Sequence, residues 1–409
     1  MVFGKVEIFA LPIKQTYILL NSSYRRILCE KIIKNGVKKT FRDINYDIGY
    51  FYRLKNRKRL SLKTLFSLYN YFTLDIKDLD KNIIQIVSGK NNSVGVDNPK
   101  LPFDFDNQWG GILLGAVMGD GARTKLGGII YNNKNEILVK SVINSVKKIF
   151  GDANYKKYIK KDGTVQIYFP KIVGDVIGMF GIERSYKIIS DCYVDLSKFS
   201  IEFKKSFIRQ FFDDEGNVRK SDRRLQIKQS RKVSQGKNII RSNVERYAPK
   251  ILLQIKSTLN EFEINSTISL ETFRTKGNVK KGDFALNIYG KENLTKFNNL
   301  IGFRSEYKSK LLNDVISNYK FSKCGKNQRL AYALQNAMKV EKKYGYIDKL
   351  KLSKETEKSM RKTCTYYLVD LKKSKFIEVI KKPRTSKGYP FYWKYKLTKL
   401  GWSKIRKIQ

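Results

Sequence analysis

Between residue 109 and about residue 320 the chain runs through one order of elements twice, and this repeat restricts the fold more than any other feature of the sequence. The first copy opens with an apolar helix at 109–118 that ends in Gly119-Asp120-Gly121. A short strand at 128–131 follows, then a helix at 135–150 whose Leu138, Val142, Val146 and Ile149 recur at helical spacing and mark a buried face. Strands at 155–160 and 164–169 flank the turn Asp162-Gly163, and a helix at 173–180 closes the copy. The second copy has a helix at 204–212 ending in Asp213-Asp214-Glu215-Gly216 and a strand at 224–229. After Pro249 comes a long helix burying Leu252, Ile255, Leu259 and Phe262, then strands at 267–274 and 284–289 and a helix at 293–300. The copies also end alike: Gly181-Ile182-Glu183-Arg184-Ser185-Tyr186-Lys187 corresponds to Gly302-Phe303-Arg304-Ser305-Glu306-Tyr307-Lys308. The expectation is an α+β fold, a pseudo-twofold pair of αβαββα subdomains spanning 109–200 and 201–324.

Smaller domains flank the pair. Residues 1–90 read as mainly helical: Ser61 is a good N-cap, and Leu62, Leu65, Phe66, Tyr69 and Phe72 form one stripe. With the helix at 24–34 and the basic run 52–59, this segment would suit a small helix-turn-helix module or a helical cap with a solvated basic face. Residues 91–108 lose periodicity around Gly95, Pro99 and Pro102 and read as a linker. Residues 325–409 read as three helices and a hairpin, a winged-helix pattern whose basic turn carries Lys382, Arg384 and Lys387.

Composition narrows the chemistry. A formal net charge of +46 repels itself unless a polyanion is near, which makes nucleic acid the expected partner. The absence of histidine excludes every mechanism built on an imidazole base. Cys29, Cys192, Cys324 and Cys364 are isolated, so neither a CxxC zinc site nor a disulfide framework is expected. No stretch approaches the roughly 20 apolar residues of a spanning helix, and the expected setting is cytoplasmic, without membrane contact.

Asp120 and Glu215 stand at matching ends of matching helices. Each alone reads equally as an ordinary helix stop, since Asp-Gly and Glu-Gly favour turns. As a pair they suit phosphodiester hydrolysis, in which carboxylates hold hard divalent ions, Mg²⁺ above all and Mn²⁺ as a substitute.

The nine residues Leu113-Leu114-Gly115-Ala116-Val117-Met118-Gly119-Asp120-Gly121, and Ile208-Arg209-Gln210-Phe211-Phe212-Asp213-Asp214-Glu215-Gly216, resemble the motif of LAGLIDADG homing endonucleases. Met118, Gln210 and Asp214 depart from the motif's aspartate, glycine and small residue. The resemblance covers about residues 109–312 and implies that the two motif helices form the seam between subdomains. It also implies that the penultimate acids, Asp120 and Glu215, bind metal beside Gly119 and Asp214, and that Lys187 and Lys308 assist near the scissile phosphates. The run Asn98-Pro99-Lys100-Leu101-Pro102-Phe103 is similar to that of archaeal free-standing members with flanking helix-turn-helix domains, which implies a prokaryotic, nucleoid-associated monomer.

So identified, the chain is expected to cut double-stranded DNA at one long asymmetric site, leaving short 3′ overhangs. The alternatives are a non-cleaving DNA-binding regulator and an intron RNA maturase on the same scaffold. A basic, polar sheet face can lie in the major groove. The expected contacts are Arg123, Lys125, Lys156, Lys157, Lys160 and Lys161 in the first half, and Arg223, Arg224, Lys228, Gln229 and Arg231 in the second.

Overall fold

The computed structural model describes residues 4–89, 94–182, 192–233, 243–276, 279–319, 326–356, 363–381 and 393–406. They fall into two compact units, Met1–Lys320 and Phe321–Gln409. Among the described residues no helix is long and apolar enough to cross a membrane.

The first unit begins with β1 (Lys5–Val6), β2 (Thr16–Leu20), α1 (Ser22–Lys34), α2 (Val37–Asp43), α3 (Gly49–Lys55), β3 (Leu60–Ser61), α4 (Leu62–Tyr71), α5 (Ile76–Asn82) and β4 (Ile83–Ser88). Ser61 does cap α4, its hydroxyl accepting from the Thr64 amide at 3.1 Å, and Leu62, Leu65, Leu68 and Tyr69 are buried. This segment is less purely helical than its sequence implies. The expected linker also contains β5 (Val96–Asp97) and β6 (Phe103–Asp104), too short to leave a period in the sequence.

The repeat region follows as α6 (Gln108–Met118), β7 (Gly121–Arg123), β8 (Ile129–Asn133), α7 (Glu136–Phe150), β9 (Asp152–Ala153), β10 (Lys156–Ile159), β11 (Val165–Phe169) and α8 (Lys171–Gly178). The second copy is α9 (Ile201–Glu215), β12 (Gly216–Arg219), β13 (Arg224–Lys232), α10 (Val244–Tyr247), α11 (Lys250–Glu261), β14 (Ser266–Lys276), β15 (Val279–Tyr289), α12 (Lys291–Leu300) and α13 (Glu306–Ser317). Each copy therefore gains a strand, β7 or β12, immediately after its motif helix, where three or four residues offer no periodicity to read.

The two copies build the same antiparallel sheet, ordered β10-β11-β8-β7 in one and β14-β15-β13-β12 in the other. Leu138, Val142, Val146 and Ile149 of α7 and Leu252, Ile255 and Leu259 of α11 are buried as their spacing predicts. A further sheet, ordered β3-β2-β4-β5-β9, joins the N-terminal segment to the first copy, because β5 of the expected linker pairs with β9. One hydrophobic core runs from Val6 to Val315.

The second unit has its own core, built on helices Lys326–Tyr344, Lys349–Thr356 and Val369–Lys373. An antiparallel pair, Ile377–Lys381 with Lys394–Leu397, and a final helix, Lys399–Arg406, complete it. Lys382, Arg384 and Lys387 lie outside the described residues.

Candidate active site and nucleic-acid interface

Helices α6 and α9 pack backbone to backbone. Asn107 caps α6 and Ser200 caps α9, and the Ser200 amide donates to the Asp106 carboxylate at 2.7 Å, tying the two helix starts together. Along the seam α6 presents glycine every fourth residue. A Cβ on Gly111 would lie 2.3 Å from the Phe203 carbonyl oxygen, one on Gly115 3.1 Å from the Gln210 Cβ, and one on Gly119 2.7 Å from the Asp214 Cβ. The bulk that α9 places at Gln210 and Asp214, where the motif has small residues, thus fits because glycine stands opposite. Phe199, just before the cap, and Phe203, Phe207 and Phe211 of α9 stack in sequence, with ring centroids 3.7, 6.0 and 6.2 Å apart.

At the C-terminal ends of these helices the structure brings Asp120 to Asp214. The Asp120 amide points at Asp214 Oδ2 at 3.5 Å. Asn133, on β8, donates to Asp120 Oδ2 at 2.8 Å and lies 3.3 Å from Asp214 Oδ1. Tyr131 and Gln210 donate to Asp214 Oδ1 at 2.8 and 3.1 Å. Burial, and then the negative charge of Asp120, push the Asp214 carboxyl up to about 8. Burial likewise raises the Tyr131 phenol, with Asp214 adding to the effect. Glu215 follows Asp214 as the last residue of α9 and is half-buried.

Two carboxylates held this close repel one another, and a cation relieves that repulsion. The donor set is all oxygen, which fits a hard divalent ion. Among the described residues no three acidic or cysteine side chains converge on one point, so phosphate and water oxygens would complete the shell, as is usual for Mg²⁺.

Asp213, the motif's other acid, has a mechanical task. Its carboxylate accepts from the backbone amides of Arg304 and Ser305 at 3.0 and 3.1 Å, fastening the end of α9 to the start of α13. Burial raises its carboxyl while those two bonds oppose the shift. Lys308, expected near the scissile phosphates, points its ammonium at the last turn of α9. It donates to the carbonyls of Phe212, Asp213 and Gly216 at 3.1, 2.5 and 2.7 Å. Burial pulls its ammonium down; Asp213, Asp214, Asp120 and Glu215 all oppose that, so the lysine feels every carboxylate of the site. Lys187, its counterpart in the repeat, lies outside the described residues.

Strand parity sorts the expected DNA contacts. In the first sheet Ile129, Tyr131, Val165, Ile167 and Phe169 face the helices, leaving Ile130, Asn132, Gln166, Tyr168, Lys156 and Tyr158 on the polar face. Lys125, Lys156, Lys157, Lys160 and Lys161 are exposed, although Lys157, paired with buried Ile167, has the parity of the helix side. Arg123 is a correction: it pairs with buried Ile129 on the helix face, and its guanidinium meets Asp175 at 3.4 Å with only 13% of the side chain exposed. In the second sheet Leu225 and Ile227 face inward, and Gln229 and Arg231 share their parity. Arg231 is corrected as well, donating to the Ala248 carbonyl at 2.9 Å beside α11, while Gln229 is half-buried.

Arg224 and Lys228 do lie on the polar face. Arg224 is held there by Asp222 at 3.2 Å, whereas Lys228 is 52% exposed beside Glu271. Arg223, in the preceding turn, stacks over Tyr319 at 5.6 Å.

Residues 202–302 match the family of LAGLIDADG-like domains. The similarity to LAGLIDADG-like domains thus falls on the second copy of the repeat. The matched span runs from the first turn of α9 to just beyond α12 and contains Glu215 and Asp214. Among solved structures, the chain is similar to full-length DUF199/WhiA from Thermatoga maritima at 13% identity, over 65% of this chain and 91% of that one, with a TM-score of 0.32. It is also similar to I-DmoI in complex with DNA and Ca, at 17% identity over 51% of this chain and 97% of that one, with a TM-score of 0.31. No curated protein matches the chain.

Sequence reasoning passed over Tyr131 and Asn133. Their signal is their parity with buried Ile129, which turns both toward the motif-helix ends.

Proposed function

We propose that this chain is a site-specific DNA endonuclease that cuts both strands of a long asymmetric site as a monomer and leaves short 3′ overhangs. The observation that carries the reading is the meeting of Asp120 with Asp214, Glu215 next in chain, at the ends of two tightly packed motif helices. The similarity to LAGLIDADG-like domains and the net charge of +46 agree with it.

Asp120 and Glu215, with Asp214 and Gly119 beside them, would hold Mg²⁺, with Mn²⁺ as a substitute. Such an ion supplies Lewis-acid stabilisation of phosphate charge and an activated water. The chain's own part is orientation. Asn133 fixes the Asp120 carboxylate, Tyr131 and Gln210 fix Asp214, and Lys308 and Asp213 fix the end of α9. Exposed lysines of the first sheet, with Lys228 of the second, would meet phosphates and base edges of the duplex.

The test is incubation with Mg²⁺ and a library of randomised plasmids, followed by sequencing of any cut ends. Cleavage at one recurrent long sequence with 3′ overhangs is expected. Tight, sequence-specific binding without cuts in either Mg²⁺ or Mn²⁺ would instead make the chain a regulator.

A further inference from the structure

The sheet of the first copy ends at β10, an edge strand on which all four residues are exposed. Tyr158 is 51% and Ile159 70% exposed. Bare edges bearing large apolar groups are unusual in a chain that stays in solution unless a partner uses them. Lysines interrupt this edge, giving Tyr155-Lys156-Lys157-Tyr158-Ile159-Lys160-Lys161.

On the polar face, β10 and β11 form a groove of about 530 Å³ lined by Asn154, Lys156, Tyr158, Gln166 and Tyr168 among others, a size within the range of small-ligand sites. The Tyr158 and Tyr168 rings meet edge-on, 5.6 Å apart at 89°. Tyr168 is anchored beforehand: its hydroxyl donates to Gln166 at 2.9 Å, and the Gln166 amide donates to Asn132 at 2.6 Å.

Aromatic rings beside lysines form a stacking platform with phosphate partners. Bases inside a duplex cannot reach such rings, whereas unpaired bases can. We propose that this groove binds an unpaired nucleotide of single-stranded DNA, its base stacked on Tyr158 and Tyr168 and its phosphates held by Lys156 and neighbouring lysines. The commitment to DNA rests on the endonuclease reading above. Duplex phosphates would meet the lysines of this sheet rather than the two rings, so an unpaired stretch continuing from a bound duplex reaches Tyr158 and Tyr168 tethered and at high effective concentration.

The experiment is fluorescence anisotropy on the full chain with labelled oligo-dT, a duplex of equal length and oligo-rU, at about 0.2 M salt to suppress purely ionic contacts. Tyr158→Ala should weaken oligo-dT binding about tenfold, the loss of one stacked base. Tyr158→Phe should keep the affinity within about twofold and Tyr158→Ala should change duplex binding by less than about threefold, because only the stacking ring is at stake. Tyr158 is exposed, so the alanine variant should melt with the wild type, which circular dichroism checks. Equal loss for oligo-dT and duplex, or no loss for oligo-dT, overturns the proposal. So does tyrosine-dependent binding confined to oligo-rU. Wild-type binding of duplex without oligo-dT overturns this inference alone, whereas binding of neither overturns the DNA reading too.

Discussion

The Lys308 ammonium sits 2.5 Å from the Asp213 carbonyl oxygen and also reaches those of Phe212 and Gly216. An ammonium has three protons, and carbonyls of the end of α9 and the first residue of β12 take all three. Lys308→Met should therefore remove three charge-assisted bonds from carbonyls at the end of α9 and cost about 2–3 kcal/mol of stability, with cleavage falling alongside. Denaturant unfolding beside a cleavage assay checks this; lost cleavage at unchanged stability would instead give Lys308 a direct chemical role.

Asp120→Asn and Glu215→Gln should behave differently. Each keeps the shape of its side chain while losing the charge that attracts a divalent ion, and an amide oxygen at position 120 can still accept from Asn133. Double-strand cleavage should fall by at least about a thousandfold while DNA affinity stays within about threefold, since the exposed lysines proposed to meet the duplex are untouched. Gel-shift and single-turnover cleavage assays measure both quantities. An uncut strand in one variant only would assign that acid to one of the two breaks.

The glycines of α6 give a graded series. At Gly111 an added methyl meets the Phe203 backbone, which cannot move aside, so Gly111→Ala should cost about 3 kcal/mol or more. At Gly119 the obstacle is the Asp214 side chain, so Gly119→Ala should cost less stability but displace a carboxylate of the site. Thermal melts with cleavage rates in Mg²⁺ separate the two; equal melting losses would contradict this account of the seam.

Asp80 predicts a pH effect remote from the site. Burial, with Glu7 adding, raises its carboxyl from 3.8 to about 6, and its Oδ1 is buried with no hydrogen-bond partner among the described residues. Between pH 4 and 6 the unfolded chain has lost this proton while the folded chain keeps it, so stability falls as pH rises through that window. The full shift corresponds to about 3 kcal/mol, reduced to about 1 kcal/mol because the group is only half-buried. Asp80→Asn should be the more stable protein at pH 8, and its advantage should vanish by about pH 4 in denaturant titrations.

Periodic features were legible from sequence. The stripes on α7 and α11 are buried as spaced, and the caps and the order of helices stand where local chemistry puts them. What escaped has no period to read. β5, β6 and β9 have two residues each, and their pairing is set by distant partners rather than by their own composition. Basic residues on β7 and β13 were read as outward because charge usually seeks water. Parity overrode that for Arg123, whose charge is matched inside by Asp175. The acids expected as a pair were Asp120 and Glu215, whereas the contact in the structure is between Asp120 and Asp214; it depends on glycine standing opposite Asp214 across the seam, a relation over 94 positions.

The unequal seam between α6 and α9 also bears on ancestry and assembly. Glycines line one helix, while Gln210 and Asp214 fill the space they leave. Two copies of the second half would press Gln210 and Asp214 against their own twins, whereas the glycines of α6 leave room for both. The halves have become a matched left and right hand. If a duplicated symmetric dimer once preceded this chain, the second half no longer keeps a surface to pair with itself, and a split version should reassemble preferentially as the heterodimer.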